Sequence, residues 1–104
     1  MPKATRITRD LALKRLANVS PEKKFWCCDG KVFQNLKELG TGLEAMSDDV
    51  FRYHSNQDKS DFANWVRDVI GDEALALRLS LSPTRTEAAQ KVTQRLILYE
   101  GKLA

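Results

Sequence analysis

The segment Phe62, Trp65, Val66, Val69 and Ile70 places five large apolar residues at i, i+3, i+4, i+7 and i+8. That spacing draws one continuous apolar stripe along a helix, and such a stripe must be covered by other elements of the chain. Gly71 follows at once and suits a left-handed helix end. Asp72 can then cap a new helix, carrying Leu75, Leu79 and alanines, that turns sharply away. Two amphipathic helices meeting at such a corner commit the chain to a helical core.

The rest of the sequence fits the same plan. Thr8 to Asn18 reads as a short helix capped by Thr8, with Ile7, Leu11, Ala12 and Leu16 near one face. Phe25-Trp26-Cys27-Cys28 and Lys31-Val32-Phe33 flank Asp29-Gly30, which predicts a β-hairpin with a two-residue turn, Trp26 opposite Phe33 and Cys27 opposite Val32. Both faces of that hairpin are apolar, so it should lie against helices. Asn35 caps a predicted helix with Leu36, Leu39, Leu43 and Met46 on its stripe, interrupted by Gly40 and Gly42, which close packing would explain. Ser47 opens a helix ending near His54, Ser55 to Lys59 is a loop, and Ser60 or Asp61 restarts the helical chain. Thr84 and Glu87 have capping-box spacing before a last helix with Ala88, Val92, Leu96, Tyr99 and Leu103 on one face. The expected fold is mainly α, one compact domain of five to six short helices with one minor β-hairpin. Residues 1–20 form a basic segment with a short helix, and residues 21–104 form the helical domain proper.

Charge is unevenly distributed. Residues 1–24 hold seven Lys and Arg against two acids, residues 25–81 hold six against ten, and residues 82–104 hold four against two. The basic end, with Lys3, Arg6, Arg9, Lys14, Arg15, Lys23 and Lys24, can neutralise phosphates, whereas the acidic middle repels them. Weak, salt-sensitive nucleic-acid binding by a mobile basic tail is therefore the secondary expectation. No apolar run is long enough for a bilayer and no h-region follows the basic start, so neither a membrane nor secretion is expected and a cytoplasmic location is the default. Cys27 and Cys28 are adjacent, and a disulfide between neighbours is strained, so they read as reduced thiols buried as small hydrophobes. One histidine and no second cysteine pair leave no standard structural zinc set. No metal or other cofactor is expected.

At Phe51-Arg52-Tyr53-His54-Ser55-Asn56, and again at Asp61-Phe62-Ala63-Asn64-Trp65-Val66-Arg67-Asp68-Val69-Ile70-Gly71-Asp72, the chain resembles a family of small uncharacterised prokaryotic domains, chiefly archaeal. Phe25 to Gly30 and Leu36 to Met46 are similar to the same family. The resemblance covers about residues 21–100 and implies a shared helical fold and no defined activity.

His54, Asn56, Lys59, Asp61, Asn64, Trp65, Arg67 and Asp68 form the densest set of chemically able residues. An imidazole beside a carboxylate can act as a general base or a binding group. The architectural alternative is the expected one: His54 and Asn56 bonding carbonyls of the loop and of the helix end before it, Asp61 and Asp68 satisfying helix ends and pairing with Lys59 or Arg67, and Trp65 in the core. No Ser/His/Asp order, HExxH, phosphate loop, dinucleotide fingerprint or EF-hand loop occurs, so no catalytic residue is assigned. An enzyme or ligand site around His54 and Asp61 stands as the least favoured reading. The run Leu96-Ile97-Leu98-Tyr99 spans more than one helix face, so part of it is left for a protein partner or a second copy. The function expected is a small non-catalytic binding or protein-interaction domain.

Overall fold

Each α-helix begins where a side-chain acceptor meets a free backbone N–H. Thr8, Asn35, Ser47, Ser60, Asp72 and Thr84 accept from Leu11, Glu38, Val50, Ala63, Leu75 and Glu87 respectively. In the computed structural model, which describes residues 6–104, these caps open α1 (Arg9–Leu16), α2 (Leu36–Ala45), α3 (Asp48–His54), α4 (Asp61–Trp65), α5 (Glu73–Ser80) and α6 (Arg85–Gly101). A two-stranded antiparallel hairpin, β1 (Phe25–Trp26) and β2 (Val32–Phe33), lies between α1 and α2. The chain is thus a mainly helical domain with one minor hairpin.

The α4 helix does not run on in α geometry. Val66–Ile70 is a π turn: the Gly71 N–H reaches five residues back to the Val66 carbonyl at 2.8 Å, and the Asp72 N–H shares that carbonyl at 3.1 Å. Gly71 takes a φ of +86°, the left-handed corner its position predicts. Phe62, Trp65, Val66 and Ile70 are all buried, as the stripe requires, with Val69 half-buried.

α2 and α6 lie side by side through the core, and the glycines of α2 explain how. A Cβ at Gly40 would sit 3.1 Å from Val92 Cγ1 of α6, and one at Gly42 would collide with the Phe33 ring. Arg85 fastens the same pair by donating to the Leu43 and Glu44 carbonyls, both at 3.0 Å, at the C-terminus of α2. Phe25 stacks on Phe33 and Phe62 with ring centres 5.9 and 5.2 Å apart, which seats the hairpin on α4.

Three expectations are corrected. The hairpin pairs Phe25 with Phe33 and Trp26 with Val32, one residue out of the expected register. Its turn has three residues: Gly30 N–H bonds the Cys27 carbonyl at 3.0 Å, Gly30 adopts φ +94°, and the Cys27 N–H then closes onto Lys31 at 2.9 Å. The Asp29 carboxylate accepts from Lys31 N–H and stabilises this longer turn. Consequently Cys27 is buried while Cys28 is exposed, rather than both being packed away. The short helix of the basic segment, α1, lies on α6, with Ala12 fully buried and Arg15 buried. Lys3 lies outside the described residues, and Arg15 is not available as part of a solvated tail.

Candidate functional site

The corner between α3 and α4 is built by local hydrogen bonding. Asn56 donates from its amide to the Arg52 carbonyl at 2.9 Å and accepts from Asp58 N–H at 2.9 Å. Its backbone N–H meets the Lys59 carbonyl, while Ser55 bridges to Ser60, so the loop doubles back on itself. That return brings Asp61 to His54: Nδ1 and the carboxylate Oδ2 are 2.9 Å apart. Lys59 Nζ reaches the same oxygen at 3.0 Å and stands over the Tyr53 ring.

The His54 ring is buried among Phe25, Phe62 and Tyr53. Its Nε2 lies 3.0 Å from the backbone N–H of Cys28 on the hairpin turn. An N–H can donate only to an unprotonated ring nitrogen, so this contact places the imidazole proton on Nδ1, facing Asp61. Burial pushes the Asp61 carboxyl up, but hydrogen bonds from His54 and Lys59 outweigh it and hold the group below its ordinary range.

The roles expected within this cluster are therefore partly exchanged. His54 bonds a neighbouring turn rather than carbonyls, while the Asn56 amide and the Ser55 N–H donate to the Arg52 and Phe51 carbonyls at the end of α3. Ser60, not Asp61, accepts at the start of α4, because the short hydroxyl side chain reaches Ala63 N–H while Asp61 is held by His54 and Lys59. Trp65 points inward as expected and donates from Nε1 to the Lys23 carbonyl at 2.8 Å. Asn64, Arg67 and Asp68 form a separate exposed group, with Arg67 bonding both Asp68 oxygens and Asn64 Oδ1. The structure thus joins His54, Asn56, Lys59 and Asp61, sends Trp65 into the core and leaves Asn64, Arg67 and Asp68 outside.

Two groupings escape a reading of the sequence. The Sγ atoms of Cys27 and Cys28 and a ring nitrogen of His54 all lie within 4.8 Å of one another. Burial is the largest influence on the Cys27 thiol and raises it above the usual cysteine value. The second grouping is ionic and deeply placed. Asp72, with no solvent exposure, accepts two hydrogen bonds from Arg95 and one from Tyr99 Oη, while Arg15 reaches Tyr99 at 3.0 Å and the Gly71 carbonyl at 3.0 Å. Burial opposes ionisation of Asp72 most strongly, yet Arg95, Tyr99 and the Leu75 N–H together keep its carboxyl below the ordinary range. Arg95 was legible in principle, since it falls on the same α6 face as Val92, Leu96 and Tyr99.

One further surface stands out on α6. Thr86, Gln90, Thr93, Gln94, Ile97 and Gly101 recur along its outer face, all exposed and none charged. Ile97 is 63% exposed, and Leu98 beside it is 50% exposed, as the Leu96 to Tyr99 run implies. No helix among the described residues is long and apolar enough to cross a membrane. Comparison with protein-family models, curated proteins and solved structures finds no match, so functional assignment rests on these surfaces and side chains.

Proposed function

We propose that the chain is a small, non-catalytic protein-interaction domain that pairs through the outer face of α6, with a second copy of itself as the partner. The observation that carries this reading is the uncharged stripe from Thr86 to Gly101 on the longest helix of the fold. Surface helices normally turn charge toward water, and a face without it loses little solvation when covered. A face lacking charge also meets its own two-fold copy without like-charge repulsion, which an isologous dimer requires. Ile97 supplies the apolar centre, and the glutamines and threonines around it can hydrogen-bond across the contact.

The His54 corner supports the non-catalytic part. Both ring nitrogens are engaged and the ring is enclosed by aromatic side chains, which suits a positioned structural imidazole better than a general base. A nucleic-acid reading has less support, because Arg15 is turned inward to Tyr99 and Gly71 and, among the described residues of that end, leaves Arg6, Arg9, Lys14 and Lys23 exposed.

Sedimentation velocity over a wide concentration range tests the proposal. A dimer should form and should dissociate in Ile97→Glu at an unchanged melting temperature, since the residue is exposed. A wild-type chain that stays monomeric up to its solubility limit overturns it, as does a dimer indifferent to Ile97→Glu.

A further inference from the structure

We propose that Cys27, Cys28 and His54 together bind a soft, closed-shell metal ion of the cuprous or zinc class, with Asp61 orienting the imidazole. The site arises from the three-residue turn of the hairpin. That turn sends Cys27 into the core and leaves Cys28 at the surface, yet keeps both sulfur atoms beside the ring of His54. Had the turn contained two residues, the register on this strand would differ by one and the two thiols would exchange faces.

Three observations converge on metal chemistry. The donor set is two thiols and an imidazole, which favours cuprous copper and zinc over oxygen-seeking calcium or magnesium. The Nε2 lone pair faces the turn that carries the thiols, because it accepts the Cys28 N–H. The other ring nitrogen is held by Asp61, and a histidine whose far N–H is fixed by a carboxylate is the arrangement that orients imidazoles toward metals. Lys59 steadies that carboxylate from the solvent side.

The dimensions are compatible. Metal–sulfur bonds of about 2.3 Å and metal–nitrogen bonds of about 2.0 Å place tetrahedral donor atoms about 3.5–3.8 Å apart. The three donors lie within 4.8 Å of one another, and Cys28 is exposed, so rotation of its side chain can close the gap. On binding, two S–H bonds break and their protons pass to solvent, two sulfur–metal bonds form, and Nε2 donates its lone pair. No electron is transferred. The Cys28 N–H gives up the imidazole and turns to water, which the exposed loop admits. A cuprous ion would be satisfied by the three donors; zinc would take water as its fourth.

The test uses the full chain, reduced and handled without oxygen, titrated separately with cuprous and zinc ions against chromophoric chelators that compete for each. One ion per chain is expected for at least one of the two metals. Cys28→Ser, an exposed substitution that should leave the melting temperature unchanged, abolishes retention. His54→Gln does the same, and Asp61→Asn weakens affinity by about 10- to 100-fold through loss of imidazole orientation. The proposal is overturned if neither ion is retained by the wild-type chain. Equal retention by folded Cys28→Ser or by folded His54→Gln overturns it as well.

Discussion

Arg95 grips Asp72 with two hydrogen bonds, Nε to Oδ2 at 2.7 Å and Nη2 to Oδ1 at 3.0 Å, across the junction of α5 and α6. The aspartate is also the N-cap of α5, so one carboxylate both starts a helix and anchors another against it. Replacing Asp72 by Asn leaves Arg95 and Arg15 facing a neutral group in a buried place. A loss of about 3–5 kcal/mol is expected, since breaking a buried pair strands the remaining charge. Urea denaturation of Asp72→Asn against wild type measures it, and a loss below 1 kcal/mol would show that solvent reaches the guanidinium groups.

The same carboxylate sets the acid limit of the fold. Its folded-state value is depressed, so its contribution to stability is fully present above the ordinary carboxylate value of about 4 and is lost as pH falls through the lower folded value. Asp61 acts with the same sign. Stability of the wild type should therefore decline as pH drops below about 4, and the decline should be shallower in Asp72→Asn. Melting temperatures of the two proteins across the acid range decide this; parallel curves would remove Asp72 from the explanation.

Gly42→Ala should destabilise the domain although alanine is the better helix former. The helix-propensity gain is about 1 kcal/mol, whereas the new methyl meets the buried Phe33 ring and overpacking costs about 1–3 kcal/mol. Coupling identifies the cause. Combined with Phe33→Leu, Gly42→Ala should become much less costly than it is alone; strict additivity would rule out the collision.

Trp65→Ala should be a folding variant, at about 3–5 kcal/mol, because the indole is buried against Phe25. Trp65→Phe keeps most of that packing and loses the hydrogen bond to the Lys23 carbonyl, for about 1 kcal/mol. Thermal melts should rank them in that order. An unchanged midpoint in Trp65→Ala would mean that the ring is free to bind something else.

Deleting residues 1–20 should lower the melting temperature markedly, contrary to what a solvated basic tail implies. The deletion removes fully buried Ala12 and the Arg15 side chain that joins Tyr99 to Gly71. Each apolar side chain taken from the core forfeits about 1–3 kcal/mol, and the buried ionic group is left incomplete. Circular dichroism of the truncated chain checks this, and full retention of cooperative melting at the wild-type temperature would restore the tail view.

What could be read from the sequence was local. Caps at Thr8, Asn35, Ser47, Asp72 and Thr84, the left-handed Gly71 and the stripes of α2, α4 and α6 all follow from residues within one or two turns of each other. The hairpin existed in the sequence but its register did not, because Asp29-Gly30 suits a two-residue and a three-residue turn alike, and the choice falls to how Phe25 and Cys27 pack. The candidate site was half legible. His54 and Asp61 are seven residues apart across one loop, whereas Cys28 meets His54 from 26 residues away and Asp72 meets Arg95 from 23. No periodicity links such pairs; only the docking of the hairpin and of α6 brings them together.

The turn register also divides the two tryptophans. Trp26 is 71% exposed on the outer face of the hairpin, while Trp65 is 8% exposed beneath it. A soluble quencher such as acrylamide should therefore extinguish the redder emission first, that of the outward indole. The residual, bluer signal then reports the interior of α4 alone. Because Trp26 adjoins the Cys27–Cys28 pair, the protein carries an optical gauge of its own hairpin and a second one for its core, readable in a single emission scan without an added dye.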